Sequence, residues 1–135
     1  MSRLRIREAA ELLGVSDDTV RRWIQQGALA VESDESGRKV IAGDVLAEFW
    51  RNKAPAAAPD RLGIASSARN RFAGLVTRVV SDTVMTQVEM QCGPHTVVSL
   101  MSTEAARELK LEPGSVAVAV VKATTVIVEV SETAS

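Results

Sequence analysis

The chain has 135 residues, enough for one ordinary domain or two small ones, and 46% of them are hydrophobic but only 3% aromatic, so any core must be aliphatic. The 16 Lys and Arg residues against 17 Asp and Glu residues give a net charge of −1, which excludes a general electrostatic attraction to nucleic acid or to a membrane surface. The single cysteine, Cys92, excludes an intrachain disulfide and any metal site built on a cysteine pair.

Three helices and a hairpin are predicted in the first 53 residues. Apolar residues recur at helical spacing from Ile6 until Gly14, a residue type that suits a helix end. Ser16 is a favourable N-cap for a second helix over 17–26, and two short apolar segments around a polar, glycine-containing centre predict a hairpin, or wing, over 30–41. With a third helix over 44–51, residues 1–53 are predicted to form a small winged helix-turn-helix domain.

The remainder is predicted to be mainly β-structure, joined to the first part by a linker. Residues 54–63 contain proline and alanine without an apolar pattern, which favours a linker. Five predicted strands follow, with one short helix that begins after Ser102; the strands cover 72–81, 83–91, 95–101, 115–122 and 124–130. The predicted fold class is therefore α+β with two domains, the second being a five-stranded OB-like β-barrel over residues 64–135.

The first domain contains a sequence typical of DNA-binding units. Its most specific parts are Ala10-Glu11-Leu12-Leu13-Gly14-Val15-Ser16 and Thr19-Val20-Arg21-Arg22-Trp23. Over residues 3–51 it resembles the winged helix-turn-helix of MerR-type and excisionase-type DNA-binding domains. The resemblance implies that the second helix enters the major groove, where polar side chains meet base edges and flanking cations meet phosphates.

By their positions, Thr19, Arg22 and Gln25 are the expected base readers. The expected phosphate contacts lie on the first helix, the second helix and the wing: Arg7, Arg21, Arg38 and Lys39. Residues 1–53 carry nine basic and nine acidic side chains, so the affinity must come from local placement. The alternative is that Arg21 and Arg22 only solvate a surface, and Trp23 is expected to pack in the core.

Three segments of the second domain carry a further resemblance. They are Ser66-Ser67-Ala68-Arg69-Asn70-Arg71-Phe72-Ala73-Gly74, Leu109-Lys110-Leu111-Glu112-Pro113-Gly114 and Val121-Lys122-Ala123-Thr124-Thr125. Over about 64–131 the chain resembles the molbindin (Mop, or TOBE-type) domain, which implies binding of molybdate or tungstate at interfaces between subunits or repeats. Ser67, Arg69 and Lys122 match the ligand positions of that family, and Ser102 stands where a Thr is usual. Ala105 departs from the family pattern, because many members have Ser there.

The chemistry of these residues agrees with a fully ionised tetrahedral oxyanion. Such an ion accepts hydrogen bonds at every oxygen and donates none, so its site should contain only donors. Arg69 supplies a rigid donor fork and Lys122 a second charge, while Ser67 and Ser102 supply hydroxyls. Backbone N–H groups near Ser67 and Ala123 would complete the shell. A protonated phosphate does not fit a shell of donors, and sulfate must be excluded by size.

Together these features predict a molybdate- or tungstate-responsive DNA-binding transcriptional regulator. The oxyanion would bind at subunit interfaces of the barrels, with Arg69 of one subunit closing onto Lys122 of another. A dimer is the minimum assembly, and the resemblance also allows a hexamer. Two alternatives remain open at this point: an intracellular molybdate-binding storage protein, and an excisionase-like architectural DNA binder with an inert barrel.

The sequence predicts no enzymatic activity, no organic cofactor and no metal site, because the one His and the one Cys lack recognisable partners. No apolar run approaches the roughly 20 residues needed to cross a bilayer, and the N-terminus lacks a signal-peptide core. The expected localisation is therefore cytoplasmic, without a membrane partner.

Overall fold

The computed structural model describes residues 2–132, which divide into two compact units: one consists of residues 2–55 together with 129–132, and the other spans Ala56–Val128. The first unit contains, in chain order, β1 (Arg3–Arg5), α1 (Ile6–Leu13), α2 (Asp17–Gln25), β2 (Glu32–Ser33), β3 (Lys39–Ala42) and α3 (Gly43–Lys53). The second contains β4 (Asn70–Ser81), β5 (Met85–Cys92), β6 (His95–Ser102), α4 (Thr103–Glu108), β7 (Val116–Val121) and a 3₁₀ turn over Ala123–Thr125.

Local signals position the helix-turn-helix of the first unit. Gly14 ends α1 with φ 70°, a left-handed conformation that costs glycine no side-chain clash, and its N–H bonds back into the last turn. Ser16 caps α2, because its hydroxyl accepts the N–H of Thr19 at 3.1 Å. Both of these predicted caps are confirmed, and α2 ends one residue before the predicted boundary.

An aliphatic and aromatic core holds the three helices to a small antiparallel sheet of order β1-β3-β2. Val20 and Ile41 are fully buried, and Trp23 packs against Phe49 with ring centroids 5.0 Å apart. The packing role expected for Trp23 is therefore confirmed. Strand β1 was not predicted, since a three-residue segment acquires its extended form only by pairing with β3.

The second unit is a single antiparallel sheet of order β6-β5-β4-β7. Its buried core consists of Val76, Val88, Met90 and Cys92 on one face, with α4 against the β5–β6 hairpin. The register of the β4–β5 pair shifts between Val76 and Arg78, which marks a β-bulge that bends the long strand β4. Cys92 is a buried strand residue, and His95 is exposed at the hairpin.

The prediction of a five-stranded barrel is wrong in its strand number. The predicted fifth strand over 124–130 is instead the 3₁₀ turn and an extended segment with no ladder partner among residues 2–132. Its apolar side chains lie in solvent: Ile127, Val128 and Val130 are 82%, 83% and 84% exposed. β-branched residues favour extended backbone, but a strand also needs a neighbouring edge, and no strand of the described residues supplies one to the segment.

Candidate functional site

The register of β4 and β7 brings two of the predicted oxyanion residues together at one end of these strands. Asn70 pairs with Val121, with Cα atoms of such antiparallel neighbours about 5 Å apart. The residues next in line beyond this pair are Arg69, just before β4, and Lys122, just after β7. These two cations were expected to meet across subunits, and within one chain they already lie on neighbouring strands.

Both cations are exposed and free to meet a ligand. In the part of the chain that the structure describes, no ion pair includes Arg69 or Lys122. Two cations side by side repel each other, and an anion between them would remove that repulsion. This end of the strands therefore has the charge of an anion site.

Hydrogen bonds hold the backbone around these two residues. The Asn70 side-chain amide donates to the carbonyl of Val121 at 3.1 Å, a bond between segments 51 residues apart. Asn70 therefore has a structural role, since its side chain joins the start of β4 to the end of β7. The carbonyl of Lys122 accepts both the N–H and the hydroxyl of Thr125, at 2.9 and 2.8 Å, which fixes the turn that begins at Ala123.

The loop before β4 is closed by an ion pair that the sequence analysis missed. Arg71 donates from Nε to a carboxylate oxygen of Asp60 at 2.6 Å, and this hydrogen bond, followed by one from the N–H of Leu62, lowers the pKa of Asp60. Within the closed loop, the N–H of Ala68 bonds the hydroxyl of Ser66, and Ser67 is left exposed. Arg71 is half-buried at this contact.

Ser102 lies at the other end of the sheet. It is the N-cap of α4 and pairs with Met85, next to the end of β4 at Ser81. At about 3.3 Å per residue, the path along β4 from Asn70 to Ser81 is about 36 Å, although the bulge shortens the direct distance. One chain thus brings Arg69 and Lys122 to one end of the strands and leaves Ser102 near the opposite end.

The predicted DNA-contacting residues surround α2 and the wing. Arg21 and Gln25 of α2 and Lys39 of β3 line a cleft of about 210 Å³ together with Ile6 and Ile24. Placement of a cation from the helix beside a cation from the wing is what a shared phosphate contact requires. Arg21 also lies 3.7 Å from Asp18, but both side chains are more than half exposed, so this pair adds little stability.

The other predicted DNA contacts have internal partners as well. Thr19 is half-buried, and its hydroxyl lies 2.8 Å from that of Ser16 and 3.5 Å from a terminal nitrogen of Arg22. Arg7 lies 3.7 Å from Glu11 on the exposed face of α1. In the wing, Arg38 lies 3.3 Å from the carboxylate of Asp34.

Asp34 organises the wing through its carboxylate. One oxygen accepts the N–H groups of Arg38 and Ser36, each at 2.8 Å. The hydrogen bond from Arg38, then that from Ser36, holds the pKa of Asp34 below its ordinary value. The wing hairpin is therefore closed by an ionised carboxylate at neutral pH.

The described residues contain neither a candidate metal site nor a candidate membrane-spanning helix. Across residues 2–132, no group of three or more His, Cys, Asp or Glu side chains could hold a metal ion. Over the same residues, no helix is both long and apolar enough to cross a membrane.

Comparison with family models divides the chain as the two units do. Residues 66–128 match the TOBE domain, and residues 3–54 match a helix-turn-helix domain. The molybdenum transport protein ModE of Herbaspirillum seropedicae is 40% identical over 83 residues. That match covers 59% of this chain but only 31% of the relative, so the chain spans less than a third of its length.

Three solved structures are also similar to the second half of the chain. A molybdate-binding protein from Sporomusa ovata is 30% identical, with 49% of this chain and 98% of that chain covered and a TM-score of 0.47. MopII from Clostridium pasteurianum is 30% identical, with 49% and 100% covered and a TM-score of 0.46. The cytoplasmic molybdate-binding protein ModG is 33% identical, with 50% and 49% covered and a TM-score of 0.44.

Proposed function

Since this chain joins a helix-turn-helix domain to a TOBE domain, we propose that it is a molybdate- or tungstate-responsive DNA-binding transcriptional regulator. The observation that carries the proposal is the pairing of Asn70 with Val121, which sets Arg69 and Lys122 at one end of the strands without an ion-pair partner among residues 2–132. The 40% identity with a molybdenum transport protein supports the choice of oxyanion. On this proposal the protein acts on DNA in the cytoplasm and is not an enzyme.

Each residue has a definite role in the proposed site. Arg69 donates from two nitrogens to two oxygens of the anion, and Lys122 supplies a compact charge that adjusts to the third. The N–H of Ala123 opens a helical turn, where the first amides lack partners inside the turn. Ser67 donates its hydroxyl from the loop that Asp60 and Arg71 close. A shell of donors fits an ion that carries no proton.

A second copy of the chain would complete the site, since Ser102 lies far along β4 from the other donors. The exposed segment 124–130 supports this assembly, because its β-branched residues can extend a sheet only at the edge of another strand. We propose that these segments of two copies pair with each other's sheets, so that a dimer is the smallest complete unit, and larger assemblies up to a hexamer remain compatible.

The regulatory step follows from this shared site. An anion that binds groups of two subunits stabilises one arrangement of those subunits relative to others. DNA readers tethered to the subunits then change their spacing, and coupling works in both directions, so cognate DNA should also change the affinity for the anion. Arg21 and Lys39, which line one cleft, are the proposed phosphate contacts, and Arg22 is the proposed principal base reader.

Isothermal calorimetry with molybdate, tungstate, sulfate and phosphate tests the ligand. Loss of one charged donor removes a charge-assisted hydrogen bond worth about 1.5–3 kcal/mol, so Arg69→Ala and Lys122→Ala should each weaken molybdate binding by about 10- to 150-fold. Arg61→Ala is the matched control, because Arg61 is also exposed in the same unit and has no ion pair among the described residues. Equal affinity for sulfate and molybdate would contradict the proposal.

Footprinting on the DNA upstream of the chain's own coding sequence tests the second half of the function. A sequence-specific, salt-dependent footprint that changes on addition of molybdate is expected. The equal numbers of basic and acidic residues in 1–53 favour one alternative, a molybdate store whose helix-turn-helix docks elsewhere. Strong molybdate binding without any footprint would support the store.

A further inference from the structure

Three hydroxyl groups form a continuous chain inside the second unit. The Ser81 hydroxyl lies 2.8 Å from that of Thr86, and the Thr86 hydroxyl lies 2.9 Å from that of Thr103. The Thr103 hydroxyl in turn donates to the carbonyl of Asp82 at 2.9 Å. Thr86 is fully buried and Thr103 is 4% exposed, so water does not compete for these bonds.

The carbonyl of Asp82, at the end of the row of hydroxyls, determines the direction of every hydrogen bond in that row. A hydroxyl has one proton to donate, and Thr103 uses its proton on Asp82. Thr103 must therefore accept from Thr86, and Thr86 must accept from Ser81. None of the three hydroxyls has a spare proton for a ligand unless the internal chain is broken.

The hydroxyl chain ties the start of α4 to the turn between β4 and β5. Thr103 is anchored twice, since its N–H also donates to the carbonyl of Val84 at 2.8 Å. The turn is itself rigid, because the carboxylate of Asp82 accepts the N–H groups of Met85 and Val84, bonds that lower its pKa. The residue directly before Thr103 is Ser102, the N-cap of α4.

Ser102 differs from the buried hydroxyls in having a proton to offer. Its oxygen accepts the N–H of Ala105 at 3.1 Å, and the side chain is exposed. No second hydroxyl proton is available in this first turn, since Thr103 donates its proton to Asp82 and Ala105 occupies the position one turn along. The direction of the Ser102 proton therefore depends on how firmly the first residue of α4 is held.

We propose that Thr86 and Thr103 are positioning residues of the oxyanion site, which hold the Ser102 hydroxyl at the place where it donates to the anion. This inference rests on the molybdate binding proposed above. A direct donor is effective only within a few tenths of an ångström of its proper distance, so a loosened α4 would lose the contact while the sheet remained folded.

Calorimetric titration of molybdate into single variants provides the first test. Thr103→Val and Thr86→Val keep the side-chain shape and remove the hydroxyl, and each should raise the dissociation constant for molybdate by about tenfold. Thr103→Ser and Thr86→Ser restore the hydroxyl and should stay within about twofold of wild type. Thr77→Val is the matched control, since its hydroxyl also donates to a backbone carbonyl, that of Glu89 at 3.2 Å, but at an exposed position away from α4.

A double-mutant cycle with Ser102→Ala separates positioning from general stability. If Thr103 acts through Ser102, Thr103→Val should change the dissociation constant by less than about twofold in the Ser102→Ala background. An equal loss in both backgrounds, or no loss in either, overturns the inference. If Thr103→Val does not fold, Ser81→Ala replaces it, because Ser81 is the exposed end of the row of hydroxyls. Ser81→Ala should raise the dissociation constant for molybdate about threefold. An unchanged dissociation constant would refute the inference.

The same titrations distinguish the two proposals. Wild-type protein that does not bind molybdate removes the proposed function and this inference with it. Wild-type protein that binds molybdate, with the threonine variants indistinguishable from Thr77→Val, removes only the inference.

Discussion

The exposed C-terminal segment yields the sharpest prediction about assembly. Ile127, Val128 and Val130 are each more than 80% exposed, and burial of a Val or Ile side chain is worth about 1.5–3 kcal/mol. Pairing that buries all three would contribute about 5–9 kcal/mol for each segment, and a reciprocal exchange between two copies doubles this. The cost of association is about 4–15 kcal/mol, so the exchange of both segments is needed for a stable dimer.

The perturbation is the double substitution Ile127→Asp with Val128→Asp, which places a carboxylate on each face of the segment. The apolar gain is lost and two charges would have to be buried, so the protein should become monomeric. Leu12→Asp is the control, because Leu12 is also exposed, at 70%, but lies on α1 of the first unit.

The assay is light scattering coupled to size-exclusion chromatography over a dilution series. The midpoints of the burial and association ranges leave a net gain of about 4 kcal/mol, which corresponds to millimolar dissociation, so wild-type protein should shift from monomer to dimer as its concentration approaches that range. The variant should elute as a monomer and bind molybdate more weakly than wild type. A wild-type monomer at every concentration, or a double variant with the wild-type mass, would refute the reasoning.

Three further predictions concern folding. Gly74→Ala should destabilise the second unit by about 3 kcal/mol or more, because a Cβ there would overlap the carbonyl oxygen of Gln91 and lie 2.8 Å from the Cys92 sulfur. Thermal unfolding measures this loss. An unchanged melting temperature would contradict the close approach of β4 and β5. Ile41→Ala should cost about 2–5 kcal/mol in the first unit, where Ile41 is fully buried, and leave molybdate binding intact; a matching loss of molybdate affinity would show that the units are not independent. The lowered pKa of Asp34 implies that its contribution to wing stability is present above 3.8, the ordinary value, and is lost as the pH falls through the lower folded value. The amide resonances of Ser36 and Arg38 should follow that transition in NMR titration, and a midpoint at or above 3.8 would disagree.

The helices were largely predictable because their signals are local. Gly14 ends the first helix through its own left-handed backbone conformation. Ser16 begins the second helix through a hydrogen bond to the N–H of Thr19, three residues along. The candidate anion-binding residues, Arg69, Lys122 and the serines, were accessible through the resemblance to the molbindin domain, and their donor-only chemistry agrees with it. The strand segments before residue 122 were found by their β-branched and apolar content to within two residues at most ends.

Pairing between distant segments was accessible only in three dimensions. The same β-branched composition that located β7 also predicted a strand over 124–130, because composition favours extended backbone but does not supply a neighbouring edge. The placement of Arg69 beside Lys122 was not accessible from the sequence for a similar reason. Only the register of Asn70 against Val121, across 51 positions of sequence, shows that one chain carries both to the same end of the strands.

The sequence alone therefore determined the two-part organisation and the helix-turn-helix, and it supplied the candidate donors of the second part. The tertiary structure decided which donors lie together, that Ser102 lies apart from them, and that buried threonine hydroxyls hold the start of α4. The physical reason is that helix caps and turns depend on neighbours a few residues away, whereas sheet register and buried hydrogen bonds depend on segments that meet only when the chain has folded.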